Sequence, residues 1–189
     1  MFYLLIIILV VAFLANVFVS LFFLYEAFRT RFFKITPNIT SHKLIQKYVG
    51  RYIFNCIHSG KRFRILDIGS GNGSMIFYLN RKLLDCDFAG CEINRFNYLT
   101  SKIRNRHKNI QFINCDAKDL TDFNFDFVYV FLFESQNKEL LPIYEKFKPG
   151  TTIISNTFKI PLNNNSKLKL VHEEKINVIN RHIYVYQVQ

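Results

Sequence analysis

Three glycines alternate along residues 65–73, which read ILDIGSGNG, and this segment constrains the fold more than any other part of the chain. The apolar residues Ile65 and Leu66 predict a buried strand that runs into Asp67, and apolar residues at helical spacing begin at Met75. The segment therefore predicts a strand, a glycine turn and a helix in direct succession. Glycine permits a positive φ and leaves no Cβ between the backbone and a ligand, so such a turn before a helix is typical of a cofactor site.

The spacing of the glycines argues against two common classes of ligand site. A phosphate-binding P-loop requires Gly-Lys followed by Ser or Thr, and the chain has no such sequence. The dinucleotide fingerprint requires a third glycine where this chain has Ser74, which disfavours an NAD-dependent reductase. A merely tight turn without a ligand stays open as the alternative.

Three acidic residues follow predicted strands. Asp67 ends the first strand, Glu92 ends a second strand 25 residues further on, and Asp116 ends a third. Parallel sheets bind ligands outside the carboxyl ends of their strands, and an acid about 20 residues beyond the glycines accepts hydrogen bonds from ribose hydroxyls. We therefore expect the three acids to line one cofactor site, although each taken singly also fits a solvated loop position.

Strand and helix patterns alternate from residue 63 to residue 158, which predicts a parallel, doubly wound sheet. The predicted strands cover 63–68, 87–91, 110–115, 125–133 and 151–158, and the predicted helices cover 74–84, 95–107 and 136–147. Two more strand patterns, 168–172 and 182–188, close the chain. The link before them is too short for a full parallel crossover, so the helix there is expected to be shortened or missing.

The first 25 residues carry no charge, and residues 2–24 are almost wholly apolar. At 1.5 Å per residue this stretch spans about 34 Å, enough to cross a bilayer as a retained anchor; a cleaved signal peptide is the alternative. Arg29, Arg31 and Lys34 follow, and basic flanking residues place that side in the cytoplasm. The expected organisation is an anchor over 1–25, a basic linker over 26–40 and a folded domain over 41–189, beginning with a helix capped by Thr40 or Ser41.

The composition favours an acidic partner and argues against a metal site. A net charge of +11 fits binding to anionic lipid or to nucleic acid, although a general bias of composition gives the same number. The four cysteines contain no C-x-x-C pair, so we expect no metal centre. Cys91 and Cys115 are expected in central strands as small apolar residues.

The segment DIGSGNG at 67–73 resembles the first motif of class I S-adenosylmethionine (SAM) methyltransferases, and GCEIN at 90–94 resembles their second. With the N-terminal anchor, the segment FKIP at 158–161 and the closing YVY at 184–186, nearly the whole chain resembles the small membrane-anchored protein-lysine methyltransferases of mitochondria and their bacterial relatives. That family modifies the adenine nucleotide translocase and ATP synthase subunit c. Three residues depart from it: Asn72 stands where an acid is usual, and Arg95 and Phe96 stand where Pro-Trp is usual.

The resemblance implies a Rossmann-like, doubly wound class I methyltransferase sheet of seven strands over 41–189, preceded by one transmembrane helix, with SAM as the cofactor. Glu92 would bind the ribose of SAM, and Asp67 would order the glycine turn and the amino group. The full set of cofactor-binding residues implied in this way is Asp67, Gly69, Ser70, Gly71, Gly73, Glu92, Ile93, Asp116, Ala117 and Phe131. No catalytic base is assigned, because a neutral amine needs positioning and desolvation more than a base.

The resemblance also implies the acceptor, a lysine of a membrane protein, and a location with the catalytic domain on the cytoplasmic face of a bacterial inner membrane or in the mitochondrial inner membrane. The fourth strand ends in FLFE at 131–134 and lacks the Asn/Asp-Pro-Pro-Tyr signature, which argues against amide or adenine methylation. Methylation of RNA, of a lipid or of a quinone stays open, as does a membrane protein that binds SAM without catalysis.

Overall fold

The computed structural model describes residues 2–33, 41–57 and 60–189. The chain divides into two compact units, Met1–Asn38 and Ile39–Gln189, and each is described separately.

The first unit consists of helix α1, Phe2–Phe33. Within it, Tyr3–Tyr25 is long enough and apolar enough, by length and composition, to cross a membrane, and its side chains are exposed. A helix suits such a segment because it satisfies its own backbone hydrogen bonds in an apolar solvent. The helix continues to Phe33, so the first part of the predicted linker is helical. Lys34 and the predicted cap Thr40 lie outside the described residues.

The second unit is a seven-stranded sheet with helices on both faces, as the sequence predicts. The strands are β1 (Phe63–Ile68), β2 (Cys86–Cys91), β3 (Ile110–Ile113), β4 (Phe127–Val130), β5 (Thr152–Asn156), β6 (Leu168–Ile176) and β7 (Arg181–Val188). The helices are α2 (Lys43–Cys56), α3 (Ser74–Asn80), α4 (Arg95–Arg104), α5 (Glu134–Glu139) and α6 (Leu141–Tyr144), with short 3-10 turns at Ala117–Asp119 and Asn177–Ile179.

The strand order is β3-β2-β1-β4-β5-β7-β6. The first five strands are parallel, while β7 is antiparallel to both β5 and β6. The order reverses beside β1, which pairs with β2 on one side and β4 on the other. A crevice opens at such a reversal outside the carboxyl ends of the strands, and this is where doubly wound sheets bind ligands.

Two apolar cores cover the faces of the sheet. On one face Ile45, Val49 and Ile53 of α2 pack with apolar residues of α3, β1 and β2. Their spacing of four forms one apolar stripe along α2, and Lys43, Lys47 and Arg51 are exposed. On the other face Leu141, Tyr144 and Phe147 pack against β4 and β5.

The helix boundaries differ from the sequence prediction in several places, and one difference is that α4 ends at Arg104 rather than at residue 107. α3 ends at Asn80 rather than near residue 84. The single helix predicted over 136–147 is two short helices, α5 and α6, because Pro142 lacks the N–H that would continue the first into the second. α2 is capped by His42, whose Nδ1 accepts a hydrogen bond from the Leu44 N–H at 3.2 Å, and not by Ser41.

The closing strands form an antiparallel pair. Residues 157–167 contain no helix, as predicted, and β6 runs to Ile176, beyond the predicted end at 172. The β6–β7 pairing carries an irregularity between Leu170 and His172.

Asn137 of α5 is fully buried and connects the ends of two strands. Its amide nitrogen donates to the Leu132 carbonyl at 3.2 Å and to the Lys159 carbonyl at 3.4 Å, and its oxygen accepts from the Tyr144 hydroxyl at 2.9 Å. A buried network of this kind is stabilising only while every member is satisfied.

Replacing Tyr144 by Phe removes one donor and leaves the Asn137 oxygen unsatisfied. We expect Tyr144→Phe to lower the free energy of unfolding by about 1–3 kcal/mol. Chemical denaturation followed by circular dichroism measures it. The matched control is Tyr78→Phe, since the Tyr78 hydroxyl makes no hydrogen bond with the described residues; equal stability of the two variants would contradict the expectation.

Candidate cofactor-binding site

The glycine turn joins β1 to α3 at the carboxyl edge of the sheet. Gly69, Gly71 and Gly73 all have positive φ, at 74°, 54° and 79°. At Gly73, the N-cap of α3, an added Cβ would lie 2.7 Å from Cζ of Phe112. Glycine is therefore required at this position by both conformation and space.

The N–H groups of the turn are used within the protein. Those of Gly69 and Ser70 donate to the Cys91 carbonyl at 2.9 and 3.1 Å, and that of Gly73 donates to the Ser70 carbonyl at 2.9 Å. The Ser74 N–H donates to Asn72 Oδ1 at 3.2 Å. What the turn offers a ligand is thus a backbone surface free of side chains more than a set of N–H donors.

Glu92 directly follows β2 and holds two turns together. One carboxylate oxygen accepts from the Gly71 N–H and the other from the Asn94 N–H, both at 2.7 Å. The residue is 7% exposed, and charge-assisted bonds in such a setting are short and strong. A carboxylate offers about four acceptor directions in all, two on each oxygen.

Asp67 lies near the end of β1, aligned with Gly90 on β2 and Tyr129 on β4. It is 4% exposed, and burial together with the charge of Glu92 raises the pKa of its carboxyl group well above the usual range. Within the described part of the chain, no hydrogen bond or ion pair reaches this carboxyl group. A cationic ligand group would therefore be stabilised beside it.

The third predicted acid lies in a loop, because β3 ends at Ile113, two residues earlier than predicted. Asp116 is the N-cap of the turn that begins at Ala117 and accepts from the Lys118 N–H at 2.9 Å. Asn114 connects this loop to β2 by donating to the Glu92 carbonyl at 2.7 Å. Ile93, next to Glu92, exposes about half of its surface.

Cys115 likewise lies beyond β3 and not within it as predicted, with its sulfur 2.9 Å from that of Cys91. Burial raises the pKa of both thiols. Among the residues that the structure describes, no group of three His, Cys, Asp or Glu could hold a metal ion.

Phe131 follows β4 and belongs to an aromatic cluster with Phe133 and Phe158. The rings of Phe131 and Phe158 are stacked, with 6.4 Å between their centroids. The ring of Phe133 contacts that of Phe158 edge-on, with 5.2 Å between centroids. The guanidinium of Arg181 lies 5.5 Å from the centre of the Phe131 ring. All ten predicted site residues thus lie at or just beyond the carboxyl ends of β1 to β4.

A buried polar row on the α2 face was not predicted. The Tyr129 hydroxyl is 2.6 Å from Ser41 Oγ and accepts from Asn156 Nδ2 at 3.0 Å. Burial raises the pKa of Tyr129 far above its ordinary value, so the hydroxyl keeps its proton. Polar residues inside apolar strands were the available signal for Tyr129 and Asn156, whereas nothing in the sequence points to Ser41.

Thr157 follows β5 with φ of 71°, a conformation that a β-branched residue rarely adopts. Its N–H donates to the His182 carbonyl at 2.7 Å, and its hydroxyl accepts from Arg181 Nη1 at 3.1 Å. The turn directs the chain so that Phe158 reaches Phe131. Strained backbone of this kind concentrates at functional sites.

Residues 65–149 match a family model described as a methyltransferase domain. An RNA methyltransferase from Salinibacter ruber, solved with S-adenosylhomocysteine, has a TM-score of 0.66 at 17% identity, covering 79% of this chain and 94% of that one. A TehB-like SAM-dependent methyltransferase from Corynebacterium glutamicum has a TM-score of 0.57 at 13% identity, covering 74% and 86%. The plantazolicin methyltransferase BpumL, solved with a substrate analogue and S-adenosylhomocysteine, has a TM-score of 0.50 at 21% identity, covering 60% of this chain and 45% of that one. No curated protein matches the chain by sequence.

The sheet order, the glycine turn and the domain match lead to one class. The chain is a class I SAM-dependent methyltransferase, and SAM is its cofactor. The turn free of side chains and the two buried carboxyl groups of Asp67 and Glu92 fit a ligand that carries a sulfonium, an ammonium and a ribose.

The raised pKa of Asp67 predicts how stability depends on pH. The folded protein holds a proton that the unfolded chain releases near pH 4, so stability falls as pH rises from there towards the folded pKa. Asp67→Asn removes this loss. Without ligand at neutral pH, we expect the free energy of unfolding of the variant to exceed that of the wild type by at least about 1 kcal/mol, which corresponds to a Tm about 2–4 °C higher. We also expect the stability of the variant to depend less on pH.

Thermal unfolding between pH 4 and pH 8 measures this difference. The exposed carboxylate Asp119, replaced by Asn, is the control for loss of one negative charge. If Asp67→Asn lost stability in parallel with the wild type across that range, the raised pKa of Asp67 would be refuted.

Proposed function

We propose that the protein is a membrane-anchored SAM-dependent protein-lysine N-methyltransferase that acts on a membrane protein, with its methyltransferase domain on the cytoplasmic side. The observation that carries the proposal is the apolar helix α1, which precedes the methyltransferase domain in the same chain. Fifteen residues, 26–40, separate the candidate membrane span Tyr3–Tyr25 from residue 41, where the methyltransferase domain is expected to begin. So short a tether would raise the effective concentration of acceptors in the same membrane. The basic residues Arg29 and Arg31 support a cytoplasmic domain.

The cofactor would lie across the carboxyl ends of β1, β2 and β3. In this placement Gly69, Ser70, Gly71 and Gly73 give room for the methionine part, and Asp67 stabilises its ammonium. Glu92 accepts from the ribose hydroxyls. Ile93, Asp116, Ala117 and Phe131 border the remaining surface, the first three beside the adenine.

Bound SAM would supply an electrophilic methyl group on a sulfonium. The protein has then to hold a neutral amine in line with that methyl and to exclude water. The rings of Phe131, Phe133 and Phe158 supply an apolar surface at the end of β4 and β5, where an aliphatic lysine stem packs well. The Arg181 guanidinium near the Phe131 ring supports the view that this surface tolerates a cation, as the methylated ammonium product requires.

RNA is the second candidate acceptor, favoured by the net charge of +11. A lipid or quinone acceptor would fit the membrane location equally well. A protein that binds SAM without catalysis would need the glycine turn but no site for an acceptor. The lysine assignment rests on the family resemblance and on the absence of the Pro-Pro-Tyr signature after β4.

The substitution Glu92→Gln tests the role of Glu92. It keeps the size of the side chain but replaces one acceptor oxygen by an amide NH2 group, which donates a hydrogen bond and cannot accept one. We expect SAM affinity to fall by about 1.5–3 kcal/mol, roughly tenfold or more. Titration calorimetry measures the affinity, with Asp119→Asn as the charge-matched control and circular dichroism as the test of folding. Unchanged affinity in a folded Glu92→Gln protein would remove Glu92 from the cofactor site.

The acceptor is tested by mass spectrometry of membrane proteins from cells with and without the gene. We expect methylation of a lysine in at least one membrane protein to disappear without the gene, to return with the wild-type chain and to stay absent with Glu92→Gln. Methylated RNA nucleosides, lipids and quinones are measured in the same cells. Loss of one of these with no change in lysine methylation would overturn the lysine assignment.

A further inference from the structure

Helix α4 presents an apolar surface to solvent and a polar one to the sheet. Asn97 and Ser101 are its buried residues. Phe96, Leu99 and Ile103 are 69%, 43% and 68% exposed. Their spacing of three and four places them along one stripe of the helix, opposite the buried pair.

This arrangement reverses that of an ordinary surface helix, which buries its apolar stripe against the core. Contiguous exposed apolar surface of this kind marks an interaction site.

The charges around the stripe have one sign. Residues 95–108 contain five Arg and Lys residues and no Asp or Glu. Arg95, Lys102 and Arg106 are exposed, and none of these three forms an ion pair with the residues that the structure describes. Arg104 is engaged differently, since it donates to the Asn72 carbonyl at 3.0 Å and lies 5.1 Å from the Phe77 ring centre.

We propose that α4 docks on an anionic lipid bilayer, with Phe96, Leu99 and Ile103 entering the boundary between headgroups and acyl chains. Arg95, Lys102 and Arg106 then meet lipid phosphates. An apolar stripe flanked by basic residues is the pattern of helices that lie in a membrane interface. The absence of acidic residues suits a uniformly anionic surface, and the chain carries its own candidate membrane span in α1.

Docking of α4 brings the cofactor site to the membrane surface, because the Asn94 N–H at the start of the helix bonds to Glu92. The proposal does not depend on which group accepts the methyl. It concerns where the domain lies, and it holds equally for a lysine, a lipid headgroup or a quinone acceptor.

The test uses the absence of tryptophan from the chain. Phe96→Trp in the full-length protein gives a single fluorophore on the stripe. The matched control is Val178→Trp, because Val178 is 85% exposed and lies in the turn between β6 and β7, at the other end of the sheet. Both variants are reconstituted into vesicles of phosphatidylcholine and phosphatidylserine, with and without bromine on the acyl chains, and retained SAM binding establishes that each is folded.

We expect the emission of Phe96→Trp to shift to the blue and to lose about half its intensity in brominated vesicles, while Val178→Trp changes little. Adding Lys102→Gln or Arg106→Gln to Phe96→Trp should weaken docking about fivefold for each charge removed. Equal quenching of the two tryptophans would overturn the proposal. A blue shift without quenching would also overturn it, because a protein surface, such as a second copy of the chain, would then cover α4.

Discussion

The two hydrogen bonds accepted by the Glu92 carboxylate support the rest of the site. They join the glycine turn after β1 to the turn that begins α4, and the Asn114 amide adds the loop after β3 through the Glu92 carbonyl. Three loops from three strands thus meet at one residue. Burial, together with the Glu92 charge, raises the pKa of the neighbouring Asp67, so the residue that orders the loops also makes the crevice more favourable for a cationic ligand.

The sequence predicted those features that local patterns determine. β1 has the predicted bounds, because an apolar run ends at a glycine turn that no strand can continue. Glu92 lies at the end of β2, as expected, since the acid interrupts the apolar pattern. The absence of a helix between β5 and β6 was predicted from the length of the connecting segment alone. One helix was predicted where the structure has two, because apolar periodicity continues across Pro142 although the backbone hydrogen bonding of the helix does not.

Features that depend on distant residues were not predicted. Ser41 and Tyr129 are 88 residues apart, and neither shows in its own neighbourhood that their hydroxyls meet. The orientation of α4 was missed for a related reason. Periodicity identifies a helix and its apolar stripe, but the side facing the sheet depends on what the sheet offers. Here the inward positions are Asn97 and Ser101, and the Ser101 hydroxyl is satisfied by the Tyr98 carbonyl at 2.7 Å.

Both ends of α4 are attached to the glycine turn. At the start, Asn94 donates to the carboxylate that also binds Gly71, and its side chain caps the helix through the Phe96 N–H at 2.9 Å. At the end, Arg104 donates to the carbonyl of Asn72 within the turn. A ligand in the crevice and a surface against α4 therefore act on the same short segment of backbone. Linkage requires the effect to be reciprocal: if docking of α4 favours the arrangement of the turn that binds the cofactor, the bound cofactor must favour docking by the same free energy.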